Sequence, residues 1–456
     1  MDKFEKRFVD YTCGLKWEAL SSGAINAVKE RLIDSLACVY AAYDYPAAKA
    51  ARQLAKTVSS PTGAIVIGTN YRSTVFDAAF ANGTMIRALD WSDTYLNREP
   101  AHPSDNIGAT LAVANAENKS GKDFILATVL AYEFQCQLCD AAGIRKKGWD
   151  HVTYGSISST AAAAKLLGLS AEETRHAIGI AVTTGNYLRQ TRIGTISLWK
   201  AGAFAKAAKN AVEAAYCVKC GFTGPYDIIE GQHGLINQIT RGEFDLAENF
   251  GGEGGNKRFK IEDTYIKFFP AEYHSQSAIW AALDLRKKVD IEELDSILIE
   301  TSHHSYQIIG MEREKWTPKT KETADHSLPY MTAVTLMDGE LTLKQFDQAH
   351  LADQKLLALI QKITVKEKKE YTDLYGTSFP NKITIKTKAG KIFEQEVLDP
   401  KGHPKNPLSK TELEAKFKAA ANGLVSEENQ KRLLDTIWGL EKVANIGDLF
   451  PLMVVK

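Results

Sequence analysis

Apolar positions recur at helical spacing through the first half of the chain. Over residues 25–43, Ala27, Val28, Leu32, Ile33, Leu36 and Ala37 fall on one face of a helix, and Tyr45-Pro46 interrupts the pattern. Residues 47–58 repeat it before the turn cluster Ser59-Ser60-Pro61-Thr62-Gly63, a short apolar run follows over 64–68, and residues 77–89 predict another amphipathic helix. Ala and other small residues dominate 107–130 and 158–167, which predicts helices that approach closely, in a bundle or at a subunit interface.

The texture changes near residue 250. Gly251-Gly252-Glu253-Gly254-Gly255 matches neither a phosphate-cradling loop nor a dinucleotide fingerprint and reads as a flexible connector. Beyond it, strands are predicted over 296–301, 363–366, 382–387 and 391–398, the last two alternating apolar with polar and turning through Ala389-Gly390 as a hairpin. Lys362, Lys366, Lys368 and Lys369 read as a solvated strand edge that discourages further pairing. Helical patterns return over 408–421 and 427–443, so the C-terminus is expected to pack back on the first domain.

A length of 456 residues calls for two domains, and 44% hydrophobic with 25% charged residues is the composition of a folded soluble protein. Lys+Arg and Asp+Glu are 56 each, so no global field draws in nucleic acid or an anionic membrane, and any affinity for anions has to be local. The mixed charge of Met1-Asp2-Lys3-Phe4-Glu5-Lys6, with no apolar core after it, makes the cytoplasm the expected compartment. Four of the six cysteines form two C-x-x-C pairs, Cys136/Cys139 and Cys217/Cys220. Such pairs can hold zinc or an iron–sulfur cluster. Here they lie in helical patterns without the Gly or Pro that shapes a metal knuckle, and they are read as buried small hydrophobes, with no metal and no cofactor expected.

Candidate chemistry concentrates in Leu89-Asp90-Trp91-Ser92-Asp93-Thr94 and His102-Pro103-Ser104-Asp105-Asn106, a polar loop leading into the Ala-rich segment. Further polar clusters are Gly148-Trp149-Asp150-His151, Lys200 at the start of a helix, Lys267 to Gln276 with Glu272 and His274, and Thr323-Ala324-Asp325-His326-Ser327-Leu328-Pro329-Tyr330. Ser104, Asp105 and Ser327 fit helix caps better than catalysis, and His176, His233, His303 and His304 belong to no cluster.

These motifs, in this order, resemble the MmgE/PrpD family, which includes 2-methylcitrate dehydratase, cis-aconitate decarboxylase and iminodisuccinate epimerase. The resemblance runs from near residue 5 to Pro404-Lys405-Asn406-Pro407 and the helix beyond. It implies a mainly α fold: a large all-helical domain from 1–262 and 400–456, a smaller α+β lid domain at 263–399, a homodimer through the helical domain, and a site in the cleft between domain and lid. Carried over by position, the family's site falls on Asp90, Thr94, His102, His151, Lys200, Lys267 and Tyr330. In the decarboxylase branch a histidine stands five residues after the matching lysine. Here that position is Glu272, which favours the dehydratase-like branch and its Glu-Tyr-His run.

The expected reaction is dehydration of 2-methylcitrate or a related tricarboxylate in propionate breakdown, with decarboxylation of cis-aconitate or epimerisation of an amino-dicarboxylate as relatives of the same chemistry. An inactive metabolite-binding homologue is the non-enzyme alternative. Three substrate carboxylates need cations and hydrogen-bond donors, for which Lys200, Lys267, His274 and Tyr330 are suited. Removing a weakly acidic proton and protonating a departing hydroxyl calls for a base and an acid, and imidazole suits both roles. His102, with Asp90 holding its tautomer, is expected to be one member of that pair. His151 is the other or anchors a carboxylate, and the sequence does not assign which imidazole takes the proton.

Overall fold

The computed structural model describes residues 1–194 and 196–456. The chain divides into two compact units, Met1–Thr264 with Ser409–Lys456, and Tyr265–Leu408.

The first unit is built from helices. Val75–Arg87, Gly121–Ala141, Val152–Leu167 and Trp199–Lys219 pack in contact around the short central helix Ile107–Ala116. Nearly every residue of Ile107–Ala116 and Val152–Leu167 is buried, which explains why small residues replace a one-sided apolar stripe there. Two glycines make the closest approach possible. A Cβ on Gly108 would lie 2.5 Å from the Gly83 nitrogen and 2.7 Å from its Cα, so the backbones of two crossing helices meet where neither carries a side chain.

The apolar run predicted over 107–130 is two helices and not one. Asn118 takes a left-handed φ of 50°, and Ser120 starts the next helix with a capping box to Asp123. The glycine-rich stretch near 251 is not a free connector: it lies inside the first unit, where the Tyr11 hydroxyl donates to the Gly251 carbonyl (2.7 Å), the Gly251 N–H donates to Glu133 (2.9 Å) and Arg7 pairs with Glu253. C-terminal helices Lys410–Ala421 and Glu427–Trp438 belong to the same unit, and Lys416 reaches Asp34 on the helix Ser22–Ala41. Cys136 and Cys139 are buried in a helix as expected, whereas Cys217 is half-buried and Cys220, at a helix end, is exposed.

The second unit is a four-stranded sheet in the order Ile363–Glu367, Leu294–Thr301, Asn381–Thr387, Ile392–Val397. The first pair is parallel and the other two antiparallel, with the hairpin turning through Gly390 at φ 78°. The lysine-rich strand is indeed an edge. Ile297, Ile299, Ile383 and Ile385 pack with Leu285 of helix Gln276–Arg286 and Val334 of helix Leu328–Asp338 in one apolar core. Ser327 caps the latter helix, accepting from the Tyr330 N–H at 3.1 Å. The fold is therefore mainly α with a small α+β part, and among the described residues no helix is long and apolar enough to cross a membrane.

The crossing at Gly83 and Gly108 yields a prediction. Gly108→Ala forces backbone apart and is expected to cost about 1–3 kcal/mol in chemical denaturation; unchanged stability would contradict so close an approach.

Candidate active site

Four helix ends of the first unit present the polar residues. Helix Val75–Arg87 ends at Arg87, and the turn after it holds Asp90 at a φ of 55°, a left-handed conformation that non-glycine residues rarely adopt. His102 precedes the helical turn Pro103–Asn106 that leads into Ile107–Ala116, Asp150-His151 directly precedes Val152–Leu167, and Lys200 sits in the first turn of Trp199–Lys219.

Asp90 is the hub. Its Oδ1 accepts from Arg87 Nη1 at 2.7 Å, its Oδ2 accepts from Lys200 Nζ at 3.2 Å, and His102 Nε2 lies 3.9 Å from Oδ1. The N-terminal turn of a helix disfavours a cation, so Lys200 depends on this carboxylate for its position. The adjoining backbone is tied from another direction: Lys416 donates to the Trp91 carbonyl at 3.1 Å, pairs with Asp34 at 2.6 Å, and sits over the Trp91 ring.

Asp93 closes the loop. Its carboxylate accepts from the Ser104 N–H at 2.9 Å and the Tyr132 hydroxyl at 2.8 Å, and burial raises its pKa against those bonds. Its backbone carbonyl faces His102 Nδ1 at 2.8 Å. A carbonyl can only accept, so Nδ1 carries the proton and Nε2 is the functional nitrogen of His102. The tautomer is thus set by the Asp93 backbone, where the sequence suggested the Asp90 side chain. Thr94 is buried in the same loop, its hydroxyl donating to the Ala101 carbonyl at 3.1 Å.

A second imidazole stands beside the first, with ring centroids 5.9 Å apart. His151 Nδ1 is 2.9 Å from Asp150 Oδ1, while Asp150 Oδ2 accepts from Arg192 Nε at 2.9 Å. His151 Nε2 is buried and has no hydrogen-bond partner among the described residues. Burial, reinforced by the Arg192 and Arg87 guanidiniums and only partly offset by Asp150, pushes this imidazole down to about 4, so it is neutral at neutral pH. Burial alone would raise Asp150, but Arg192 and His151 bring its carboxyl below the usual range.

Asp105 is not the cap that its place in the sequence suggested. Both of its oxygens are buried without a hydrogen bond among the described residues, Arg87 Nε is 3.9 Å away, and burial, helped by Asp93 and Asp90 against Arg87 and Arg192, pushes its carboxyl up to about 7. Ser104 likewise contributes its backbone N–H to Asp93, and its hydroxyl is buried beside the same carboxylate.

The second unit carries its own polar group. Lys267 is buried. Glu272 accepts from the His274 N–H at 2.8 Å through one oxygen and holds His274 Nδ1 at 2.7 Å with the other, leaving His274 Nε2 buried without a partner among the described residues. Burial raises the Glu272 carboxyl, but His274, His326 and Lys267 together bring it down to about 2. Asp325 joins the group through its backbone, accepting from the Glu272 N–H at 2.8 Å, and its carboxylate pairs with Lys321 at 2.6 Å and His326 at 2.5 Å. Tyr330 is not gathered into this group: it lies in the apolar core, donates to the Gln345 carbonyl at 2.6 Å, and the carboxylates acting on it are Asp347, Asp338 and Asp353.

Arg87, Arg192 and the buried role of Asp105 escaped the sequence reading. Arg87 was discernible as the residue one helical turn before Asp90; Arg192, in an isolated turn, had no such signal. As for metals, the one group of three potential ligand atoms close together among the described residues is Asp2, Glu5 and Asp227. Asp2 and Glu5 there already accept backbone N–H groups of residues 227–230, which ties the first helix to that segment. Neither C-x-x-C pair forms such a group among the described residues.

Known proteins resemble this chain along most of its length. The family models described as MmgE/PrpD N-terminal domain and MmgE/PrpD C-terminal domain match residues 6–247 and 269–442. The 2-methylcitrate dehydratase of Salmonella typhimurium is 30% identical over 94% of this chain and 92% of its own length. The enzyme of the same name from Cupriavidus necator is 29% identical over 87% and 84%, and the mitochondrial 2-methylcitrate dehydratase of Yarrowia lipolytica is 30% identical over 88% and 80%. The chain belongs to the MmgE/PrpD family and is one of its carbon–oxygen lyases.

Proposed function

We propose that the protein dehydrates 2-methylcitrate, or a related tricarboxylate such as citrate, to the cis-aconitate-type product by acid/base catalysis. The observation that carries the reading is the pair of adjacent imidazoles, each with Nδ1 held, His102 with Nε2 beside Asp90 and His151 with a buried Nε2 that has no hydrogen-bond partner among the described residues. The names of the relatives support the substrate.

In this reading His151 is the base. Its Nε2 takes the proton from the carbon next to a substrate carboxylate, the C–H electron pair becomes the new double bond, and the hydroxyl leaves the neighbouring carbon. His102, protonated on Nε2 beside Asp90, gives that proton to the hydroxyl, which departs as water. Solvent exchange then returns one proton to His102 and removes one from His151. Arrival of a polyanionic substrate raises the basicity of a buried imidazole, which brings His151 toward the working range. Lys200, held by Asp90, supplies positive charge where negative charge builds in the transition state.

Lys267 and His274 are proposed to bind substrate carboxylates. Glu272, with its oxygens committed to His274, is proposed as a positioning residue that fixes the imidazole with Nε2 outward. The proposal extends to a homodimer acting in the cytoplasm in propionate breakdown.

Purified protein incubated with 2-methylcitrate, citrate, cis-aconitate and iminodisuccinate, with ultraviolet absorbance of the unsaturated acid and released carbon dioxide both followed, tests the reaction. Absorbance gained from 2-methylcitrate without carbon dioxide is expected; carbon dioxide from cis-aconitate instead would overturn dehydration. His151→Gln and His102→Gln should each lower kcat by roughly 10²- to 10⁴-fold, and near-wild-type turnover in either would remove that residue from the chemistry. The base must be neutral and the free imidazole of His151 is held at about 4, so kcat/KM should persist as pH falls through 6.5 and fail only near 4. An acid limb near 6.5 beyond what ionisation of the substrate's own last carboxyl accounts for would show that another group takes the proton.

A further inference from the structure

The site described so far has cations that the chemistry has not used. Arg192 lies in the single helical turn Arg189–Arg192, and its side chain is nine-tenths buried, at 10% exposure. Nε is anchored on Asp150 Oδ2, the carboxylate whose other oxygen holds His151. Nη2 is buried and has no hydrogen-bond partner among the described residues. A buried guanidinium N–H left unpaired is costly, and natural proteins retain such a group where a ligand completes it.

The surrounding charges say what that ligand is. Arg192 and Arg87 both act on the His151 imidazole, and both act on Asp105. Asp90 and Asp150 are committed to Arg87, Lys200 and Arg192, while Asp105, pushed up to about 7, is a partial counter-charge only. Three cations, Arg87, Arg192 and Lys200, converge here, and Arg192 keeps a buried N–H from which none of the carboxylates Asp90, Asp93, Asp105 and Asp150 accepts, so an anion is what completes it. A guanidinium fork fits a carboxylate in particular, because its parallel N–H groups match the two oxygens.

Resting on the tricarboxylate reading above, we propose that Arg192 is a substrate-binding residue: its Nη2 receives the carboxylate on the carbon that loses its proton to His151. Sharing Asp150 places guanidinium and imidazole side by side, so the carboxylate that acidifies the C–H bond and the base that breaks it are positioned by one buried anion. As the proton leaves, negative charge spreads onto that carboxylate and the Arg192 contact strengthens. Arg192 therefore contributes to affinity and to rate.

Calorimetric binding of propane-1,2,3-tricarboxylate, which has no hydroxyl to lose, separates binding from chemistry. Arg192→Met should weaken it by roughly 10- to 100-fold, the loss expected of a charge-assisted hydrogen bond. Arg192→Lys, which keeps the charge without the fork, should fall between, and serves where the Met variant does not fold as judged by thermal unfolding. Affinity within twofold of wild type in a folded variant, with kcat reduced and the acid limb of the pH profile moved, would overturn the proposal and leave Arg192 as a support for Asp150. Wild-type protein that binds no tricarboxylate would overturn the functional reading itself, and the two failures are distinguished by the wild-type titration. Addition of guanidinium ion to Arg192→Ala should restore part of the lost affinity, and absence of rescue counts against a direct contact.

Discussion

A carboxylate buried in a left-handed turn is unstable in two ways: it has lost water, and its backbone is strained. Asp90 is held there because Arg87 and Lys200 approach it from two different helices and Lys416 fixes the next residue through its carbonyl and its ring. Lys200 in turn needs Asp90, since a helix N-terminus repels a cation. The interaction is reciprocal, and through it the ends of helices Val75–Arg87 and Trp199–Lys219 are brought to one point. The close backbone contact of Gly83 with Gly108 then sets where the helix following His102 can lie.

The same economy appears at the imidazoles. His102 is oriented by a backbone carbonyl and His151 by a buried carboxylate, so both present Nε2, yet their environments differ. His151 is fully enclosed among cations and stays neutral; His102 is partly exposed beside Asp90. Two chemically identical side chains are separated by environment, which under the proposed dehydration suits one to accept a proton and the other to donate one. His274 in the second unit repeats the device with Glu272 on its Nδ1.

Much of this was legible in the sequence because period and residue type carry it. The helical repeat, the alternating hairpin and the lysine-marked edge strand were readable, and so were Asp90, His102, His151, Lys200 and Lys267 as unusual polar residues in ordered motifs. What was not legible depends on burial. An Asp two residues after His-Pro has the signature of a cap, and nothing local says that Asp105 has no N–H group to accept from. The break at Asn118 did leave a local signal, the polar stretch Glu117-Asn118-Lys119-Ser120-Gly121-Lys122-Asp123 with its Ser120/Asp123 capping box, which the apolar pattern on either side outweighed. Arg192 has no periodic context, and its partnership with Asp150 spans 42 positions of sequence.

The central claim is that His151 stands neutral with its proton on Nδ1 and a bare Nε2. Nitrogen-15 NMR of histidine-labelled enzyme, with His151→Gln identifying the resonances, measures this directly across the pH range. The account predicts a protonated Nδ1 and an unprotonated Nε2 from neutral pH down toward 4; the opposite tautomer, or an imidazolium forming near 6.5, would contradict it.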